Sequence, residues 1–319
     1  MKYSFVVPIY NDGALARDFC LEMERTFRAY LKRDDIEAEL ELIFVDDGSA
    51  NDSRVLLRRV CDEFPFVRMA AFARNFGQHI ALSAGYRLAR GDYVGMLNVD
   101  QEDPPSQIPL LLDALRGTDY DIAGGLYERR DVPFFTGLTS RLFHVAMNRL
   151  TGYETPINAS TVRVMTRRAV DDYNSLSERS RYLPGLEMWL GFKYCRVPLV
   201  HQKRRVGTSS YNFRRRLRMA IASIISFSDF PLRLAVKFGL LMAGAGVLLI
   251  FALIIDKLFF RALMPGYTST VAAIVFLGGV QIMVTGVASL YVGRILAEVQ
   301  GRPLYVIRET YDGTSAPPG

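Results

Sequence analysis

The sequence of 319 residues predicts an α/β domain built on a mainly parallel sheet and followed by two membrane-crossing helices. Two observations carry this. Across roughly the first two hundred residues, runs of β-branched and aromatic residues alternate with helical periodicity, the order expected of a parallel sheet covered on both faces. In the last quarter, two charge-free stretches each reach the ~20 residues a helix needs to cross ~30 Å of hydrocarbon. Composition agrees: half the residues are hydrophobic, yet 23% are charged, close to a soluble average. That balance excludes a disordered chain, a collagen-like repeat and a small disulfide scaffold, and it argues against a chain embedded in lipid throughout.

Taken in order, strands are expected at Tyr3–Ile9, Leu40–Val45, Val67–Phe72 and Tyr93–Val99. Helices are expected between and after them near Ala14–Leu31, Ser53–Phe64, Gln78–Ala89 and Pro105–Leu115. The apolar start Tyr3–Tyr10 is too short for a signal peptide and meets Asp12 at once. Three cysteines, Cys20, Cys61 and Cys195, lack metal-ligand spacing and read as buried thiols in a reducing compartment.

Further along, His201–Arg218 holds seven basic residues and no acid, enough to account for the net charge of +6. From Phe213 the pattern becomes helical, with Leu217, Ile221, Ile224 and Ile225 on one side and Arg214, Arg215, Arg216 and Arg218 at its start. That describes a helix lying in an anionic membrane interface. A nucleic-acid partner is not expected, since no matching fold signature accompanies the basic stripe. The charge-free stretches are Phe238–Ile255 and Ala262–Gly293, the latter most apolar at Val271–Val292, with Gln281 facing a neighbouring helix or subunit. Arg233 and Lys237 precede the first, Arg294, Arg302 and Arg308 follow the second, and the intervening loop sets Lys257 and Arg261 against Asp256. This bias places both ends on the cytoplasmic side of a multi-pass anchor in the plasma (inner) membrane. The organisation read from sequence is thus a domain over 1–211, juxtamembrane helices over 212–233, two spans over 234–294 and a cytoplasmic tail over 295–319.

Each conspicuous polar cluster follows a strand. The clusters are Pro8-Ile9-Tyr10-Asn11-Asp12, Asp46-Asp47-Gly48-Ser49, Arg74-Asn75-Phe76-Gly77 and Asn98-Val99-Asp100-Gln101-Glu102-Asp103. Ligands bind parallel sheets at this end. Carboxylates there can accept from a base or ribose, or hold a hard divalent cation against a diphosphate. Helix capping is the plainer use, and Ser49 or Asp52 could do only that. Three acidic turns on adjacent strand ends favour a nucleotide-metal site.

On these residues the sequence resembles the inverting family-2 glycosyltransferases of GT-A fold, and within them the polyprenyl-phosphate glycosyltransferases. Val7-Pro8-Ile9-Tyr10-Asn11-Asp12 resembles V-P-x-Y-N-E, with Asp for Glu, and Val45–Ser49 matches V-D-D-G-S. Arg74–Gly77 matches R-N-x-G, and Arg204–Tyr211 resembles R-x-x-G-x-S-K-Y with Ser210 for the lysine. Ser226–Arg233 matches S-F-S-x-x-P-L-R, and Glu298–Tyr305 matches E-x-x-x-R-P-x-Y. Six motifs in order cover nearly the whole chain.

The resemblance implies a nucleotide pocket of Pro8, Tyr10, Asp12, Asp46, Asp47, Asn98 and Val99 for a nucleotide sugar, expected to be UDP-linked. The family's D-x-D-L-Q-x-P-P is altered here to Asn98-Val99-Asp100-Gln101-Glu102-Asp103-Pro104-Pro105. Asp100 and Glu102, with Asn98 assisting, are the expected ligands of Mg²⁺ or Mn²⁺. For the polyprenyl phosphate acceptor, the resemblance points to Arg129, Arg130, Ser140, Arg141 and Arg163, with Arg204 the strongest catalytic candidate beside Asp100 and Glu102. Guanidinium groups suit phosphate because they present a planar pair of donors. His79 opens a helix after Arg74–Gly77, His144 and His201 are read as structural, and Asn158 stands where many members have an acid. Loops Gly152–Ser160 and Arg179–Glu187 are where sugar selectivity would lie. Small residues along the two spans, and the family's tetramers, suggest a homo-oligomer. Two alternatives stay open: a transferase that extends a saccharide, although Trp189 lies outside any Q-x-x-R-W pattern, and a non-catalytic nucleotide-sugar-binding partner of a flippase.

Overall fold

The computed structural model describes residues 1–34, 37–100, 103–127, 158–179, 181–200, 230–259 and 266–313. The chain divides into two compact units, Met1–Tyr211 together with Pro303–Gly319, and Asn212–Arg302. In the first unit the strands are β1 (Lys2–Ile9), β2 (Glu39–Asp46), β3 (Val67–Phe72), β4 (Tyr93–Met96), β5 (Ile122–Tyr127), β6 (Ala159–Thr166), β7 (Tyr194–Leu199) and β8 (Ile307–Tyr311). Its helices are α1 (Ala16–Asp34), α2 (Ser53–Glu63), α3 (Gln78–Leu88), α4 (Ile108–Leu115), α5 (Arg167–Ser175) and α6 (Leu183–Trp189).

Among the described residues, the eight strands join one sheet in the order β7-β5-β6-β4-β1-β2-β3-β8. The central run β3-β2-β1-β4 is parallel. β6 runs antiparallel to β4 and β5, and β8 antiparallel to β3. From β1 the chain builds outward through β2 and β3, then crosses back to place β4 on the other side of β1. That reversal opens a crevice beyond the carboxyl ends of β1 and β4, where open α/β sheets bind ligands.

Period-two alternation in β1 decides its two faces. Tyr3, Phe5, Val7 and Ile9 enter one apolar core with α1, α2 and α4. In α1 the buried Ala16, Phe19, Cys20, Met23, Phe27 and Tyr30 recur at helical spacing on a single stripe. On the other face α3 lies so close to β1 that a Cβ on Gly85 would come within 2.1 Å of Val6 Cγ1. Cys20 and Cys61 are buried free thiols, as expected.

Beyond β5, β6, β7, α5 and α6, which the sequence reading does not name, two elements differ from it. β4 ends at Met96, three residues early, and Asn98 beyond it donates its side-chain amide to Thr161 Oγ1 of β6 at 2.9 Å. The C-terminal segment is no mere tail, because Ile307–Tyr311 is an edge strand of the sheet. Its alternating half-buried Ile307, Glu309 and Tyr311 are the period-two signal that a purely apolar search passes over.

The second unit contains α7 (Phe230–Phe259) and α8 (Tyr267–Val299), of 30 and 33 residues. The first expected span, Phe238–Ile255, falls within α7, and the most apolar part of the second, Val271–Val292, falls within α8, but the two are not equivalent. Among the described residues one stretch, Phe276–Val299, is long and apolar enough to cross a membrane, and the apolar run of α7 is the shorter Leu234–Gly246. Both helices expose large apolar side chains, including Leu240, Leu248, Phe251, Phe276, Ile282 and Val292.

Candidate active site

The loops after β1 and β2 are laced together by one residue. Asn11 adopts a left-handed backbone (φ 64°), which Asn tolerates better than most side chains. Its N–H donates to Ser49 Oγ at 2.9 Å, its Oδ1 accepts from the Ala50 N–H at 2.9 Å, and its carbonyl accepts from Asn51 Nδ2 at 2.9 Å. Ser49 is therefore not a helix cap, and Asp52 at the start of α2 makes no side-chain cap bond. The capping reading fails at both positions.

Asp46 and Asp47 are 2% and 4% exposed. Asp46 Oδ1 accepts from the Ser49 N–H at 3.0 Å, closing its own turn. Asp47 reaches the third loop, where it accepts from the N–H groups of Phe76 at 2.7 Å and Gly77 at 2.9 Å. Burial raises the Asp47 pKa above the ordinary carboxylate range, while these two amides and Arg74 oppose the rise. Between them, Gly48 has φ 69°, and a Cβ there would stand 2.3 Å from the Arg74 carbonyl carbon. V-D-D-G-S and R-N-F-G are thus one interlocked structure, in which Asp47 positions the third loop. The Arg74 guanidinium lies 4.0 Å from the Phe76 ring centroid.

At the crevice between β1 and β4, Tyr10 is 48% exposed, an aromatic face left at the end of a buried strand. Asp12 is exposed, Pro8 and Asp100 are half-buried, and Val99 is buried. Gln78, absent from the sequence reading, donates from Nε2 to Asn98 Oδ1 at 3.1 Å. Its only signal was its place at the first position of α3. Asp103, the last acid of the fourth cluster, is structural: it accepts from Tyr127 Oη at 2.7 Å and Ser160 Oγ at 2.7 Å.

Among the described residues no group of three or more His, Cys, Asp or Glu side chains could hold a metal alone. The expected ligand Glu102 lies outside the described residues, and Asn98 Oδ1 already accepts from Gln78. Asp100 remains as the described carboxylate at the strand end. This donor set fits a hard cation that takes its other oxygens from substrate phosphates and water, as Mg²⁺ commonly does.

Arg163 is corrected. Expected among the lipid-phosphate residues, it is 7% exposed and its Nη1 bonds both carboxylate oxygens of Glu187 at 2.6 Å. Burial opposes its charge, but Glu187 outweighs that penalty and holds its pKa above the usual value. β6 lies inside the sheet, so the side chain meets α6 rather than open solvent. A single sequence gives no sign of the Glu187 partner. Burial and then the Arg163 cation lower the His79 pKa to about 4. Arg129, Arg130, Ser140, Arg141 and Arg204 all lie outside the described residues.

This sheet, with its crevice and strand-end carboxylates, is the GT-A glycosyltransferase fold. Glucosyl-3-phosphoglycerate synthase from Mycobacterium tuberculosis, solved with Mn²⁺, UDP-glucose and phosphoglyceric acid, shares the fold at a TM-score of 0.50 and 18% identity, over 70% of this chain and 79% of that one. The sequence model of glycosyl transferase family 2 matches residues 4–173. A prophage-derived bactoprenol glucosyl transferase of Shigella flexneri is 32% identical over 98% of this chain and 99% of that protein. An uncharacterized glycosyltransferase of Bacillus subtilis, YkcC, is 30% identical over 98% of this chain and 94% of that protein. The chain belongs to glycosyl transferase family 2, and it resembles the bactoprenol glucosyl transferases from end to end.

Proposed function

We propose that the protein is a membrane-anchored, inverting glycosyltransferase that moves one sugar from a nucleotide donor, UDP-linked, to a polyprenyl phosphate at the cytoplasmic face. The likeness to a bactoprenol glucosyl transferase carries this reading, since it extends over 98% of the chain and so includes the second unit. Tyr10 offers an exposed aromatic face for the base, Pro8, Asp12, Asp46 and Val99 are assigned to the same pocket, and Asp47 fixes the neighbouring loop. Asp100, with Asn98 and Glu102, would hold Mg²⁺ or Mn²⁺, which supplies positive charge against the donor diphosphate. The acceptor needs no strong base, because a phosphate monoester with a second pKa of ~6 is ionised near neutrality. The protein's task is to set the phosphate oxygen in line with the anomeric carbon, opposite the leaving diphosphate. Arg129, Arg130, Ser140, Arg141 and Arg204 are the side chains assigned to that phosphate.

Chain topology supports a two-helix anchor. β8 follows α8, yet it pairs with β3 in the same sheet. A single crossing would leave those strands on opposite sides of the bilayer, so α7 and α8 both cross or neither does. Apolar side chains exposed along both helices favour crossing.

Purified protein is incubated with undecaprenyl phosphate, a saccharide acceptor and a panel of nucleotide sugars. The expected result is transfer to the lipid phosphate alone, abolished by chelator and reduced at least ~100-fold in Asp100→Ala. Product on the saccharide instead would indicate chain extension, and no product with any donor would indicate a binding partner.

A further inference from the structure

The segment that follows α8 has no part in the mechanism above, although Glu298–Tyr305 was among the motifs of the sequence. Its contacts lead to the donor pocket. The Tyr305 ring stacks on Phe72 at the end of β3, with centroids 5.1 Å apart and planes 15° from parallel. Phe72 in turn meets Phe76 edge to face at 5.6 Å. One residue after Phe72, the Ala73 N–H donates to the Val306 carbonyl at 3.0 Å. The strand that follows is fastened at two further points: Arg58 Nε donates to Glu309 Oε1 at 2.6 Å, and Tyr311 Oη donates to Asp62 Oδ1 at 2.6 Å.

Phe76 is the residue whose N–H holds Asp47 and whose ring carries the Arg74 guanidinium. Tyr305 therefore stands two ring contacts from a carboxylate of the nucleotide pocket. We propose that Tyr305 is a positioning residue for the nucleotide donor. Its ring fixes Phe72 and Phe76, and so the Arg74–Gly77 loop and Asp47, without touching the donor itself. Donor affinity then depends on the segment that joins the second unit back to the sheet. This inference rests on the nucleotide reading of the β1–β4 crevice.

The test compares full-length wild type with Tyr305→Ala and Tyr305→Phe, measuring UDP affinity by calorimetry and transfer to undecaprenyl phosphate. Tyr305→Ala is expected to raise the UDP Kd and the donor KM about tenfold, with kcat at saturating donor within about threefold of wild type. Tyr305→Phe keeps the ring and is expected to match wild type within about twofold. Should Tyr305→Ala not fold, Tyr305→Leu, which fills the space without a ring, is read against the same expectations. Unchanged UDP affinity in the ring-less variant, or equal loss in Tyr305→Phe, overturns the proposal while leaving the nucleotide site standing. Wild-type protein that binds neither UDP nor another nucleoside diphosphate overturns the site reading and this proposal with it.

Discussion

At the scale of single residues, Asn11 and Asp47 lace together the loops after β1, β2 and β3. Gly48 must be glycine twice over, for its positive φ and for the Arg74 backbone pressed against it. Gly48→Ala is expected to lower stability by on the order of 2 kcal/mol and to weaken UDP binding, both readable by melting and calorimetry. Arg163 and Glu187 form a buried pair, and removing one partner leaves the other charge uncompensated. Glu187→Gln should cost about 3 kcal/mol in chemical denaturation, and more than Arg163→Met combined with Glu187→Met. His79 sets a pH dependence with a definite sign. Its folded pKa of about 4 lies below the unfolded value of ~6.5, so between those values the unfolded chain binds the extra proton. The stability it contributes is complete above pH ~6.5 and is lost as the pH falls towards 4. Tm measured across that window should fall more steeply in wild type than in His79→Gln.

At the scale of elements, the parallel half of the sheet was legible because its strands are apolar runs separated by helical periodicity. β1, β2 and β3 lie within a residue or two of where pattern places them. β4 was overextended, because Val99 continues the apolar run although the pairing has already ended at Met96. β8 was missed because it alternates Ile307, Arg308, Glu309, Thr310 and Tyr311, and it pairs with a strand more than two hundred residues away. The site divides in the same way. Asp46, Asp47 and Asp100 could be placed at strand ends by counting, whereas Gln78 and Glu187 matter through partners that only folding brings near. Because β8 covers the edge of β3, deleting residues 303–319 should expose an unpaired strand edge. Light scattering of that truncated protein in detergent is expected to show aggregation, with a lower Tm than the full chain.

At the scale of the whole molecule, the basic excess behind the net charge of +6 gathers in His201–Arg218, a stretch that runs from the end of the first unit into the start of the second. The apolar surface gathers in α7 and α8. On the proposed reading, basic residues adjacent in sequence to helices with exposed apolar side chains suit a protein working at an anionic lipid surface. On that reading, return of the chain to its own sheet after α8 keeps the first unit on one side of the bilayer. Whether this unit joins one sugar to a lipid phosphate is read from mass spectrometry of the lipid extract after reaction. The expected product is undecaprenyl phosphate heavier by one anhydro-sugar unit, its anomeric configuration inverted by NMR, with at least ~100-fold less of it from Asp100→Ala. A ladder of added sugars, a retained configuration, or unmodified lipid with every donor would contradict the proposed function.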